Sequence, residues 1–145
     1  MVRRIQPGDA KFVRGICETA LGHPTTTELL IRRIGELAEH PAYFIAVFED
    51  ENDHEVKGFI QAQTYDLLYG DDGWNIIALA VDRGARRQGI GSQLLQALEE
   101  HARSQGSSFV RLNSRADRLG AHAFYEHLGY HCDKTQKRFI RYLDE

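Results

Sequence analysis

Residues 76–102 read IIALAVDRGARRQGIGSQLLQALEEHA, and this stretch decides the fold. Ile76, Ile77, Leu79 and Val81 close the most strand-like run of the chain, Trp74 to Val81. A loop rich in arginine and glycine, Arg83 to Gly91, follows at once. An amphipathic helix, Ser92 to Ser104, comes next, with Leu94, Leu95, Leu98 and Ala102 on one face. The first turn of a helix carries backbone N–H groups without an intrahelical acceptor, and the positive end of the helix dipole. Glycines at 89 and 91 let that backbone approach a ligand closely, and Arg83, Arg86 and Arg87 add positive charge. Together these features predict an anion site suited to a phosphate or pyrophosphate. The alternative is a loop whose glycines turn the chain and whose arginines keep it solvated. Neither standard nucleotide motif is present. The dinucleotide fingerprint needs a third glycine where Leu94 stands, and no Gly-Lys-Ser/Thr triplet closes a P-loop.

Working outward, Pro7-Gly8-Asp9 ends a short strand, Val2 to Gln6, and Asp9 is placed to cap a helix through Cys17 and Ala20. Gly22-His23-Pro24 breaks that helix. Thr25 and Glu28 have capping-box spacing and open a second one, with Leu30, Ile31, Ile34, Leu37 and Ala38 as its apolar stripe and Pro41 as its stop. Tyr43 to Phe48 has strand character, Asn52-Asp53 marks a hairpin turn, and Val56 to Leu68 reads as a long strand. Tyr69 to Gly73 is a loop with two acids. Beyond the second half of the opening stretch, Gly106 is a helix breaker, Phe109 to Asn113 a strand, and Leu119 to Leu128 a helix ended by Gly129. Tyr130 to Leu143 predicts two short strands. Hairpins come early and helical crossovers late. That order predicts an α/β or α+β three-layer domain, a mixed sheet with helices on its faces.

A length of 145 residues predicts one domain, residues 1–145. An apolar fraction of 42% excludes a disordered chain or a fibre. The net charge of −3 argues against nucleic acid as partner. Two cysteines, Cys17 and Cys132, give no disulfide framework, which predicts a reducing, cytoplasmic setting. The two N-terminal arginines are followed by no apolar segment, and no apolar run is long enough to span a bilayer, so neither a signal peptide nor a membrane partner is expected. The seven histidines show no metal-site spacing.

Residues 86–91, RRQGIG, match the Arg/Gln-x-x-Gly-x-Gly/Ala signature of the GNAT superfamily of acetyl-CoA-dependent N-acetyltransferases. The context also resembles that family: Leu79-Ala80-Val81 ends the strand, Leu94-Leu95 follows in the helix, and AHAFYEHLGY at 121–130 is similar to its A-x-x-F-Y-x-x-x-G-F/Y segment. The resemblance implies a mixed central sheet of about six to seven strands flanked by about four helices. It implies transfer of an acetyl group from acetyl-CoA directly to a primary amine of a small molecule, and often a homodimer. Backbone groups of Arg86, Arg87, Gln88, Gly89, Ile90, Gly91 and Ser92 would hold the CoA pyrophosphate. Those of Leu79, Ala80 and Val81 would pair with the pantetheine arm, and the Val81 N–H would stabilise the oxyanion. Tyr125 matches the tyrosine that protonates the leaving thiolate, a sensible pairing of a phenol with a thiolate.

Two positions depart from the family pattern. Arg118 stands where many members have asparagine, and it would contact a CoA phosphate or carbonyl. Ala78 stands where many carry a strand glutamate, so the general base is unassigned. Asp66, Asp71, Asp72, Glu28, His23 and His122 are the candidates. Three functional readings follow: an active N-acetyltransferase; a catalytically silent CoA-binding sensor or assembly module of the same fold; and an anion or nucleic-acid binder using Arg83, Arg86, Arg87, Arg111, Arg115 and Arg118. The first is the reading adopted, because Tyr125 is retained.

Overall fold

The computed structural model describes residues 1–144, which divide into two compact units, residues 1–113 and 114–144. The first holds a five-stranded sheet in the order β1-β2-β3-β4-β5, with β1 Val2–Arg4, β2 Tyr43–Glu49, β3 Val56–Tyr65, β4 Gly73–Val81 and β5 Phe109–Leu112. The first three pairings are antiparallel and β4–β5 is parallel, as hairpins followed by a helical crossover require.

Helices α1 (Ala10–Leu21) and α2 (Thr27–Leu37) cover one face. Val13, Ile16 and Ile34 pack there on Ile45, Val47, Phe59 and Ala80. Helix α3 (Ile90–Ser104) covers the other face, burying Leu94, Leu95 and Leu98 completely. Trp74 points to that second face: its ring meets His101 edge-on at 5.1 Å and its Nε1 donates to Ser107. Gly58 lets α3 come close. A Cβ there would lie 3.0 Å from Ile90 Cγ2, 3.1 Å from the Ala80 carbonyl and 3.3 Å from Leu94 Cδ1. Gly58→Val therefore pushes on the first turn of α3. We expect a loss of about 1–3 kcal/mol and a melting temperature lower by about 3–10 °C, read by calorimetry.

Three local expectations change. Thr26, one residue after the expected Thr25, caps α2 by accepting from the Leu29 N–H at 3.1 Å. Asp9 makes no cap bond to α1. It accepts instead from the Gln6 N–H at 2.8 Å and from both terminal nitrogens of Arg3, at 2.9 and 2.8 Å. The last two strands are not formed. Tyr130 to Leu143 lies outside any strand and is exposed from His131 onward, so the sheet has five strands rather than six or seven. The polar run HCDKTQKR, 131–138, offers no alternating apolar face to bury. The second unit is built around α4, Leu119–His127.

Candidate active site

In the first unit the site begins where β4 leaves its neighbours. β4 pairs with β5 only from Gly73 to Ile76, opposite Phe109 to Leu112. The next residue, Ile77, is an extra one: Gln61 faces Ala78 and Ala62 faces Ile76, which leaves Ile77 unmatched in a β-bulge. Beyond the bulge the β5 side of β4 has no strand beside it. The Asp82 N–H donates to the Lys57 carbonyl at 2.7 Å, which fixes the alternation of the β3–β4 ladder. Ala80, opposite Phe59, turns its backbone groups toward β3, whereas Leu79 and Val81 turn theirs to the open side. Of the three residues expected to pair with a pantetheine arm, Leu79 and Val81 present N–H groups. Ala80 does not; its side chain sits in the helix-facing core.

The open edge runs into the loop. A 3-10 turn at Arg83–Ala85 leads to Arg86, then Arg87 with φ +66° and Gly89 with φ +76°. A non-glycine residue in the left-handed region is unusual and clusters at ligand-binding loops. Gly89 is the N-cap of α3, and its carbonyl accepts from the Gln93 N–H at 3.0 Å. The N–H groups of Ile90, Gly91 and Ser92 form the first turn and have no intrahelical acceptor. No acid lies in that turn to compete for them. Arg83, Arg86, Arg87 and Gln88 are exposed, and among the described residues none of the three arginines makes an ion pair. The Ile90 side chain anchors the turn in the core. The donor set suits a pyrophosphate: oriented N–H groups, a dipole end and unpaired guanidinium groups.

In the second unit, the half-buried Tyr125 lies in α4 among aromatic neighbours. Its ring centroid is 5.3 Å from Phe124 and 5.9 Å from Tyr130, and its carbonyl accepts from the Tyr130 N–H at 3.0 Å. Burial pushes the phenol pKa up, and the positive charge of Arg118 partly offsets this. Arg118 is exposed and precedes α4, its N–H donating to the Arg115 carbonyl at 3.1 Å. His122 Nε2 lies 2.8 Å from the Arg115 carbonyl, so that nitrogen carries the proton.

The base candidates of the first unit all lie at the surface. Asp66, Asp71 and Asp72 are exposed on the β3–β4 loop, Glu28 is exposed in the first turn of α2, and His23 is exposed after α1. Ala78 packs against the α1–α2 core, with Gln61 opposite. Sequence reasoning missed the bulge at Ile77 and the side chains around Arg111. Arg111 is stacked on Tyr65, with its Cζ 4.8 Å from the ring centroid. No group of three or more His, Cys, Asp or Glu residues is arranged to hold a metal ion among the described residues. No helix among them is long and apolar enough to cross a membrane. Cys17 and Cys132 are both free thiols, and burial pushes the Cys17 pKa up.

Known proteins resemble this chain in sequence or in fold. A protein of Bacillus subtilis (strain 168) described as uncharacterized protein YxbD is 32% identical over 83 residues, which cover 57% of this chain and 48% of that one. The chain thus spans about half the length of this curated relative. A transcriptional regulator from Bacillus halodurans C-125 superposes with a TM-score of 0.82 at 22% identity, covering 97% of this chain and 99% of that one. Glucosamine-6-phosphate N-acetyltransferase from Arabidopsis thaliana superposes with a TM-score of 0.79 at 22% identity, covering 99% and 98%. Both share the fold. Residues 13–130 match the Acetyltransferase (GNAT) family over most of the sequence and across both units, and the chain belongs to that family.

Proposed function

We propose that the protein transfers an acetyl group from acetyl-CoA directly to a primary amine of a small molecule. One observation carries this reading. The free edge of β4 beyond Ile77 leads without interruption into the unpaired N–H groups at the start of α3. An extended amide arm fits the first and a pyrophosphate the second. With the pyrophosphate at residues 86–92, the arm passes Val81 before Leu79, and its thioester end reaches furthest toward the bulge. The Leu79 N–H is then the donor at the thioester carbonyl, and the Val81 N–H holds the arm. This moves the oxyanion role from Val81, where the family resemblance put it, to Leu79.

The amine nitrogen, in its neutral form, adds to the thioester carbonyl carbon. The C–N bond forms and the C–S bond breaks; the thiolate takes a proton, for which the family resemblance names Tyr125 as donor, and the proton the nitrogen sheds on becoming an amide passes to solvent and replaces the one given up. Burial favours the neutral phenol, so its proton is in place at neutral pH. A second reading, a CoA-binding module without catalysis, is favoured by one observation, the alanine at position 78. A panel of primary amines with acetyl-CoA, followed by thiol release, separates the two. Amine-dependent release supports transfer. Saturable CoA binding with no release on any amine supports the silent module.

A further inference from the structure

Arg111 sits on β5 opposite Asn75, just before β4 and β5 part. It is half-buried, yet among the described residues it has no carboxylate partner. Its Nη1 donates to Asn75 Oδ1 and its Nη2 to Asn113 Oδ1 at 2.7 Å. Tyr65 carries the guanidinium on its ring and is held edge-on by Phe109, with centroids 6.2 Å apart. Gly73 makes room for that aromatic ring: a Cβ there would lie 2.3 Å from Phe109. Tyr65, Gly73, Asn75, Phe109 and Arg111 share one sheet face by their register, opposite to Trp74.

Neutral amides and a phenol ring orient a guanidinium without neutralising it. An oriented, uncompensated cation just before β4 and β5 part is a receptor for a planar or tetrahedral oxyanion. Leu79 is four residues along β4 from Asn75, one of them the bulge. The separation is about 10–13 Å by strand rise, which an arginine side chain and a small amine together cover.

We infer that the acceptor amine also carries an acidic group, a carboxylate or phosphate, and that Arg111 binds it. This rests on the acetyltransfer reading and names its substrate class.

The test uses matched probes: glycine against glycinamide, and 2-aminoethyl phosphate against 2-aminoethanol. Binding of each to the CoA-loaded protein is measured by titration calorimetry, for wild type and for Arg111→Gln and Arg111→Lys. In at least one pair the anionic member should bind about tenfold or more tightly than its neutral twin. Arg111→Gln should erase that preference while leaving acetyl-CoA affinity unchanged, and Arg111→Lys should restore part of it. Equal binding within both pairs, or a preference that survives in Arg111→Gln, overturns the inference. Thiol release is scored separately. Its absence on every amine contradicts acetyl transfer, and the binding preference still decides the role of Arg111.

Discussion

Gly89→Trp is expected to weaken acetyl-CoA binding by about 100-fold or more, roughly 2.7 kcal/mol, while leaving the fold largely intact. The position allows both outcomes. Gly89 has φ +76°, so any side chain there is strained by about 1–2 kcal/mol. A Cβ built on it meets no heavy atom within 4 Å, so no core contact is broken. The indole would instead stand over the N-cap of α3 and cover the N–H groups of Ile90, Gly91 and Ser92. Gly89→Ala supplies the strain without the bulk and serves as the control. It should lose stability but keep most of the affinity. Equal CoA affinity in wild type and Gly89→Trp would remove the pyrophosphate from this loop.

Tyr125→Phe is expected to lower kcat by about 100-fold with little change in acetyl-CoA affinity, since a positioned general acid is commonly worth about 10²–10⁴ in rate. The pH profile supplies a second readout. An acid works only while protonated, and burial raises the folded-state pKa of Tyr125 above its ordinary value. The alkaline fall in kcat should therefore begin above the range of an exposed phenol, about pH 10. It should vanish in the Phe variant. Deletion of one hydroxyl leaves the contacts with Phe124 and Tyr130 in place, so the melting temperature should move little. An unchanged kcat would return Tyr125 to the role of a packing aromatic.

The loop and helix at residues 83–104 were legible because their chemistry is local. Glycines mark left-handed backbone, as Gly89 confirms, and the leucine spacing marks a buried helical face. The opening beside β4 was not legible. WNIIALAV is an almost unbroken apolar run, and nothing in it marks Ile77 as the extra residue. A bulge depends on which partner residues the register brings opposite, and that is a long-range property. Arg111 was visible only as one of several arginines. Its isolation from any carboxylate, and the stack on Tyr65, emerge when β3, β4 and β5 are laid side by side. Of the apolar residues in the expected strands at 130–143, Phe139, Ile140, Tyr142 and Leu143 are all exposed. Four apolar residues beside a charged run do not alone find a sheet edge.

The most direct measurement is a thermal-shift titration of the wild-type protein with acetyl-CoA and with free CoA. A ligand at about 100 times its Kd adds about 2.7 kcal/mol of native-state stability, a rise of about 5–10 °C for a chain of this size. The account predicts such a saturable rise with both compounds, lost in Gly89→Trp. A melting temperature that stays fixed up to millimolar acetyl-CoA would contradict the CoA site, and with it the proposed transfer.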